Sequence, residues 1–392
     1  VENCFAMEII DYKNMIISLN QINTVSGDIK GNFKKILEKT NIALNKNSDI
    51  IVFPEAAFTG YCVGSLWDNT DFIFEQENCV RELVKTVPYN KCVIVGYISY
   101  HGTKPDGFPL LKNSVAVINK NKINRYDKQI LANADHHEDK KYFQAGKKSK
   151  IFNLQLNNKK VKVGIPICED AWYINHKRNI PKEMVDMGAK MLISINQSYF
   201  YYGKQEIRTK LFSKLSQNLN VPVVSVNSIG VGDIVKNIII FDGSSIICDN
   251  GYKMVQMKRF EEQSHFANFF CELNKIKIQY DQSELVKCDS KENKFKEIVD
   301  AISFEQKELF KLVGIPKAQV HISGGVDSAI GMALSILSMG AENCVFITNP
   351  TSLNSNSLKI VKQLGENFKV KIHTNELEEI YQTFNKKDKE KV

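Results

Sequence analysis

The sequence predicts an α/β protein built from two domains, and three observations lead to that prediction. Runs of β-branched residues alternate with helical stretches over the first two-thirds of the 392 residues, which is typical of a layered α/β domain. Near Phe260 the pattern changes, and the polar, charged stretch 276–293 indicates a linker. After residue 318 a strand, a glycine turn, a helix and another strand follow one another, which predicts a βαβ unit with parallel strands.

Strands and helices are predicted to alternate along the first domain. The stretch 28–46 is expected to be an amphipathic helix because its apolar side chains recur on one side, and 204–219 is expected to be another helix. Several predicted strands are continuous β-branched runs, as in strands that are covered on both faces. The predicted strands are 15–20, 49–53, 92–97, 114–119, 160–165, 190–195, 221–226 and 237–241.

The second domain is predicted to consist of parallel strands that alternate with helices. Its predicted strands are 319–322, 344–348 and 370–373, and its predicted helices are 295–312, 329–339 and 355–367. We therefore expect a first domain over 1–275, a linker over 276–294 and a second domain over 295–392. At about 100 residues the second domain is small for an open α/β enzyme, and we expect it to be cut short.

The composition excludes several classes of protein. Hydrophobic residues make up 43% and charged residues 24% of the chain, which is ordinary for a globular protein. The longest apolar runs fall far short of the ~18 residues that a membrane span needs, so we expect no membrane as a partner. The charge of +8 comes mostly from scattered lysines rather than from a basic stripe with arginine forks, so we expect no nucleic acid either.

The cysteines indicate a reducing compartment. There are nine of them, an odd number, and no two form a C-x-x-C pair, which argues against a zinc site and against a disulfide framework. Residues 1–15 carry acidic side chains and no apolar core, so we expect no secretory signal. The expected location is the cytoplasm.

Three residues together could perform nucleophilic catalysis, and two of them, Glu55 and Cys168, follow predicted strands. Glu55 ends the run Ile-Val-Phe-Pro-Glu, Lys128 lies in Tyr-Asp-Lys-Gln-Ile-Leu, and Cys168 lies in Ile-Pro-Ile-Cys-Glu-Asp. A cysteine nucleophile needs a base for its proton and a cation near the developing oxyanion. Each residue alone has a plainer interpretation, namely a helix cap, a solvated lysine and a small core residue.

A second motif lies between the strand 319–322 and the helix that follows it. Adjacent glycines let backbone amides turn towards an anion, and the amino end of a helix adds positive potential, so the motif predicts a phosphate or pyrophosphate site. A tight strand–helix turn is the alternative. The motif lacks the lysine of an ordinary P-loop, and we expect its aspartate, Asp327, to hold Mg²⁺. The residues are Ser323, Gly324, Gly325, Val326, Asp327 and Ser328.

With these motifs the first domain resembles the nitrilase, or carbon–nitrogen hydrolase, superfamily over about residues 15 to 270. The resemblance implies a four-layer αββα sandwich and a catalytic triad of Glu55, Lys128 and Cys168. The glycine loop resembles the pyrophosphate loop of the N-type ATP pyrophosphatases, which implies a partial Rossmann-like parallel α/β domain. The two domains in this order resemble the glutamine-dependent NAD synthetases.

That resemblance implies the substrates glutamine, ATP and deamido-NAD, with Mg²⁺ and without a tightly bound cofactor, and it implies a homo-oligomer. It also implies that Ser198, Lys204 and Glu169 bind glutamine. Two stretches depart from the family pattern. Ala134 replaces a tyrosine that helps to bind glutamine, and His-Glu-Asp at 137–139 replaces Phe-Asp-Glu.

Two alternatives remain open on the sequence alone. The chain could be a free-standing amidase with an inert second domain, or a non-catalytic subunit that binds nucleotide. Two aromatic features do not decide between them: Trp172 is expected to form a pocket wall, and the aromatic run 199–202 is expected to be pocket lining or core.

Overall fold

A computed structural model describes residues 13–132, 137–157, 159–234, 237–272, 275–279, 294–349 and 355–375. The chain divides into two compact units, Val1–Lys291 and Glu292–Val392. The lysine-rich end of the sequence, 385–392, lies outside the described residues. Within the described part, no helix is both long and apolar enough to cross a membrane.

The first unit contains two large sheets and a separate hairpin. Its strands are β1 Lys13–Gln21, β2 Ile50–Val52, β3 Cys92–Thr103, β4 Pro109–Asn119, β5 Lys122–Asp127, β6 Ile151–Leu156, β7 Lys159–Gly164, β8 Met191–Asn196, β9 Val223–Asn227, β10 Ile229–Ile234, β11 Asn237–Asp242, β12 Ile246–Asp249, β13 Tyr252–Gln256, β14 Gln263–Glu272 and β15 Lys275–Ile278. One sheet has the order β15-β14-β1-β2-β3-β4-β5, and the other has the order β13-β12-β9-β8-β7-β6. β10 and β11 form the separate antiparallel hairpin.

Helices cover the outer faces of both sheets. They are α1 Ile29–Asn45, α2 Thr70–Thr86, α3 Asp139–Tyr142, α4 Ile180–Asp186 and α5 Lys204–Leu219, with short 3₁₀ helices at Gly64–Asp68, Cys168–Ala171 and Tyr173–Asn175. Asp28 starts α1 because its Oδ1 accepts a hydrogen bond from the Gly31 amide at 2.9 Å. Asn69 starts α2 in the same way, through the amides of Asp71 and Phe72.

Successive side chains of β2 point to opposite faces of the sheet, and this shows how the layers pack. Ile50 and Val52 lie in the core that also contains residues of the six-stranded sheet. Ile51 and the following Phe53 point the other way, into the core formed with α1 and α2. On the far side, α4 and α5 pack against the six-stranded sheet through side chains such as Met184 and Phe212. The order is therefore helices, sheet, sheet, helices, and the predicted αββα fold is confirmed.

The second unit is a parallel three-stranded sheet with helices. Its strands are β16 Ala318–His321, β17 Cys344–Thr348 and β18 Ile372–Thr374, in that spatial order. Its helices are α6 Lys294–Leu312, α7 Val326–Met339 and α8 Ser355–Phe368, with a 3₁₀ turn at Ala341–Asn343. Ile322, Met332, Phe346 and Val361 form its core. This is the Rossmann-like parallel arrangement that the sequence predicts.

One boundary differs from the prediction. Residues 276–278 were expected to begin a linker, but they belong to β15, which pairs with β14 at the edge of the seven-stranded sheet. The reason is a short alternating pattern, Lys-Ile-Lys-Ile at 275–278, in which Ile276 and Ile278 are buried. The rest of the predicted linker, 280–293, lies outside the described residues, and α6 begins at Lys294.

Candidate active site

Glu55 lies in the turn that follows β2 and is fully buried. Three donors hold its carboxylate. Asn113 Nδ2 lies 2.7 Å and Lys128 Nζ 2.8 Å from Oε1, and the Gln197 amide nitrogen lies 2.8 Å from Oε2. The carboxylate is therefore fixed in one orientation at the carboxyl end of a central strand, which is where sites of α/β proteins are found.

Lys128 follows β5 immediately and its ammonium group is buried between two carboxylates. Its Nζ lies 2.8 Å from Glu55 Oε1 and 2.7 Å from Asp139 Oδ2. Burial alone would lower the pKa of Lys128, but the charges of Asp139 and Glu55 raise that pKa well above its ordinary value. Lys128 is therefore a permanent cation in the interior.

Cys168 is the first residue of the 3₁₀ turn Cys168–Ala171, which follows β7. Its φ of +43° is a strained conformation for a residue with a side chain, and strain of this kind concentrates at functional sites. Burial and the charge of Glu55 raise the pKa of the Cys168 thiol well above its ordinary value, while the charge of Lys128 lowers it. The fold thus brings the three predicted residues into one electrostatic cluster, with the thiol protonated near pH 7.

Asp139 is a member of this cluster that was not singled out from the sequence. Besides Lys128, it accepts hydrogen bonds from the Tyr61 hydroxyl at 2.7 Å and from the Ala132 amide at 3.1 Å. The charge of Lys128 lowers the pKa of Asp139 against the effect of burial, so Asp139 is ionised. The available signal was the acidic residue at the end of the His-Glu-Asp stretch, where the family pattern ends in glutamate.

Asp170 connects the Cys168 turn to the segment that carries Lys128, and it too was missed. Its Oδ1 accepts hydrogen bonds from the amides of Gln129 and Ile130, at 3.0 and 2.8 Å. Its Oδ2 accepts hydrogen bonds from the Tyr126 hydroxyl at 2.8 Å and from the Ile167 amide at 3.2 Å. Burial nevertheless raises the pKa of Asp170 to about 6.

The residues predicted to bind glutamine lie around the same cluster. The charges of Cys168 and Glu169 both act on Lys204, whose pKa is lowered by burial. Ser198 is buried, and its amide nitrogen donates to Asn227 Oδ1 at 2.9 Å. Glu169, next to the thiol, pairs with His176 Nε2 at 2.7 Å. Ala134, the replaced tyrosine position, lies outside the described residues.

The predicted phosphate loop joins β16 to α7 in the second unit. The Ser328 hydroxyl donates to the Gly325 carbonyl at 2.9 Å and lies 3.1 Å from the Ser323 hydroxyl. Gly324 has a φ of +87°, and a Cβ atom there would lie 2.8 Å from the Ser357 carbonyl oxygen, so only glycine fits. The loop is exposed and leads directly into the amino end of a 14-residue helix.

Metal ligands are sparse in the described parts of both units. No group of three or more His, Cys, Asp or Glu side chains there could hold an ion. Asp327, the predicted Mg²⁺ ligand, is exposed in the first turn of α7. His137 packs against the rings of Tyr61 and Tyr199, and His136 lies outside the described residues.

The sandwich and its buried Glu–Lys–Cys cluster define a hydrolase of the nitrilase type. The chain belongs to the carbon-nitrogen hydrolase family, whose profile matches residues 16–269. The NAD synthase profile matches residues 297–392. The predicted resemblance to glutamine-dependent NAD synthetases is thereby confirmed.

Relatives with known names match most of the chain. The chain is 26% identical over 366 residues to the glutamine-dependent NAD(+) synthetase of Synechocystis sp., covering 90% of this chain and 63% of that protein. It is 25% identical over 348 residues to that of Acinetobacter baylyi, covering 88% of this chain and 59% of that protein. The chain therefore spans about three-fifths of the length of these two relatives.

Solved structures agree with the fold. The ADP complex of the glutamine-dependent NAD+ synthetase from Acinetobacter baumannii superposes with a TM-score of 0.81 at 25% identity, covering 96% of this chain and 67% of that chain. An amidase from Nesterenkonia sp. AN1 superposes with a TM-score of 0.54 at 12% identity, covering 65% of this chain and 90% of that chain. The similarity to the amidase concerns the fold alone.

Proposed function

We propose that the first unit hydrolyses the side-chain amide of glutamine and that the second uses the ammonia to convert deamido-NAD into NAD at the expense of ATP. One observation carries the first half of the proposal: a carboxylate and an ammonium 2.8 Å apart, both buried, act on the thiol of Cys168. The names of the two relatives and the match of residues 297–392 support the second half.

In the proposed reaction, Glu55 takes the thiol proton as Cys168 Sγ attacks the amide carbon. Proton transfer during the attack suits a thiol that is protonated before the substrate binds. Lys128, with the Glu169 amide, stabilises the oxyanion of the tetrahedral intermediate. Glu55 returns the proton to the departing nitrogen, the C–N bond breaks, and ammonia leaves a thioester on Cys168. Water then attacks the thioester, gives its proton to Glu55, and releases glutamate and the thiol.

Three further residues are assigned to the glutamine subsite. Lys204 pairs with the substrate carboxylate, and Ser198 and Glu169 bind the remaining polar groups. Oxidation of Cys168 to a disulfide would remove the nucleophile, so a reducing compartment suits this chemistry. We therefore place the protein in the cytoplasm. The homo-oligomer stays a prediction.

In the second unit, the loop from Ser323 to Ser328 is assigned to the phosphates of ATP. A carboxylate oxygen of deamido-NAD attacks the α-phosphorus of ATP, and pyrophosphate leaves. Ammonia then attacks the adenylated carbonyl carbon, the new C–N bond forms, and AMP leaves. Asp327 would hold Mg²⁺, since one carboxylate together with phosphate oxygens and waters is a common magnesium environment. The ion supplies charge neutralisation for the phosphates.

The experiment measures ammonia release from glutamine and NAD formation from deamido-NAD, Mg²⁺ and ATP. Cys168→Ala should abolish both glutamine-driven reactions and leave NAD formation from ammonium salts. Cys79→Ala, which removes a thiol of α2, serves as the matched control and should change neither. Loss of the ammonium-driven reaction in Cys168→Ala as well would contradict the division of labour between the units.

Two other results would replace the proposal by an alternative. Release of ammonia from other amides but not from glutamine would indicate a free-standing amidase. Failure of a glutamine-analogue electrophile to label Cys168 in the folded protein would indicate a subunit that only binds nucleotide.

A further inference from the structure

The Lys204 ammonium lies among three aromatic rings. Its Nζ is 4.8 Å from the ring centroid of Trp172, 4.9 Å from that of Tyr199 and 4.5 Å from that of Tyr201. All three distances are within the range of a cation–π interaction. Trp172 ends the turn that begins at Cys168, and the two tyrosines lie between β8 and α5, so two separate segments converge on one cation.

We propose that Trp172, Tyr199 and Tyr201 are positioning residues that hold Lys204 as an unneutralised cation for the substrate carboxylate. We call these three residues the aromatic cage. The inference rests on the proposed function, in which Lys204 binds glutamine. It adds that the three rings determine how strongly Lys204 binds the substrate.

Lys204 needs such support because its surroundings disfavour a positive charge. It is the first residue of α5, where the helix dipole favours anions, and Arg208 lies one turn further along the same helix. Burial and the charge of Arg208 lower the pKa of Lys204. The negative faces of three rings offset part of this cost.

The cage also explains why rings suit this site better than an acidic partner. A carboxylate beside Lys204 would form an ion pair and cancel its charge, whereas aromatic faces stabilise the cation and leave its N–H donors for another acceptor. Within the described residues, no salt bridge to Lys204 is present. A substrate carboxylate would therefore find a cation that is already desolvated and held in place.

The effect should appear in substrate binding rather than in the chemical step. The cage does not include the groups that transfer protons or stabilise the oxyanion. Loss of one ring should therefore raise KM for glutamine about 10-fold and leave kcat within about twofold. A substrate without the carboxylate should be insensitive to the change.

The test compares L-glutamine with L-glutamine α-amide, in which a neutral carboxamide replaces the carboxylate. Trp172→Leu and Tyr201→Leu should each raise KM for glutamine about 10-fold and leave KM for the α-amide unchanged. Trp172→Phe and Tyr201→Phe keep a ring face and should restore KM to within about twofold. Tyr201 is 41% exposed, so its replacement should fold even if that of Trp172 does not.

Tyr89→Leu is the matched control. Tyr89 lies in the turn that precedes β3, and its ring is near another lysine, Lys120. The variant should leave both KM values unchanged. The cage has no such role if the leucine variants keep the wild-type KM, if KM rises equally for both substrates, or if phenylalanine fails to rescue. When the unmodified protein releases no ammonia from glutamine, the proposed function itself is wrong, which is a separate and recognisable result.

Discussion

Gly96 and Glu55 lie in direct backbone contact: a Cβ atom at position 96 would come within 2.5 Å of the Glu55 Cα. The same two segments share backbone hydrogen bonds. The Gly96 amide donates to the Pro54 carbonyl at 3.0 Å, and the Ala57 amide donates to the Gly96 carbonyl at 2.9 Å. The central strand β3 thus fixes the turn that carries the proposed base, and it can approach so closely because residue 96 has no side chain.

Gly96→Ala should displace Glu55 and impair catalysis beyond its effect on folding. Overpacking of one methyl group against buried backbone costs about 1–3 kcal/mol. Because Glu55 moves with its turn, kcat for glutamine hydrolysis should fall about 100-fold in the fraction that remains folded. Thermal unfolding and kcat measured on the same preparation check this. An alanine variant with wild-type kcat would show that the contact does not position Glu55.

Asp139→Asn tests the second carboxylate on Lys128. The variant removes one of the two negative charges in contact with Lys128, so the ammonium should bind Glu55 more tightly and stabilise the oxyanion less. We expect kcat to fall about 100-fold or more. Asp139→Glu keeps the charge and should retain more activity than the asparagine variant.

The measurement is steady-state ammonia release, accompanied by circular dichroism to verify folding. An asparagine variant with wild-type kcat would mean that the charge of Asp139 is not needed at this position.

The catalytic cluster illustrates which parts of the site can be predicted from the sequence. Glu55 and Cys168 each follow a buried strand, and Lys128 lies in a recognisable local sequence, so all three could be named in advance. Asp139 had only its place at the acidic end of the family pattern as a signal, and the partners of both Asp139 and Asp170 are set by the fold. Asp170, for example, binds backbone amides 40 and 41 residues away along the chain. An aspartate in a loop carries no local signal for such contacts.

The secondary structure likewise contains elements that the sequence predicts and elements that it does not. The helix 204–219 and the strand 344–348 have the predicted bounds. The helix lies between Gly203 and Asn220, which both adopt left-handed conformations that end helices, and a short apolar run marks the strand. β5 was not predicted, since four of its six residues are exposed and polar or charged side chains dominate it. β15 was assigned to a linker for the same reason. Edge strands have one neighbour and need little apolar sequence, so only pairing in the folded chain reveals them.

Asp170→Asn should alter the pH dependence of stability. The folded pKa of about 6 lies above the ordinary value of 3.8, so the protonated form is favoured in the fold. Its stabilising contribution is therefore complete below about pH 4 and is lost as the pH rises through about 6, a change of about 3 kcal/mol. Asparagine cannot titrate and lacks this contribution.

Denaturant unfolding of both proteins between about pH 4 and pH 7 measures the difference. The wild type should gain stability over the variant by roughly 3 kcal/mol as the pH falls across this range. A difference that does not change with pH would mean that Asp170 stays ionised throughout.

Ser328→Ala tests the glycine loop of the second unit. The Ser328 hydroxyl closes the loop through the Gly325 carbonyl and lies beside the Ser323 hydroxyl, so its removal loosens the loop and removes one hydroxyl donor from the proposed phosphate site. We expect the dissociation constant for ATP with Mg²⁺ to rise about 10-fold, measured by isothermal titration calorimetry on the whole chain. Gln319→Ala, an exposed change on the preceding strand β16, should leave ATP binding unchanged. If Ser328→Ala binds ATP as tightly as the wild type, the motif serves only as a strand–helix turn, since a phosphate cradle depends on donors that converge on the anion.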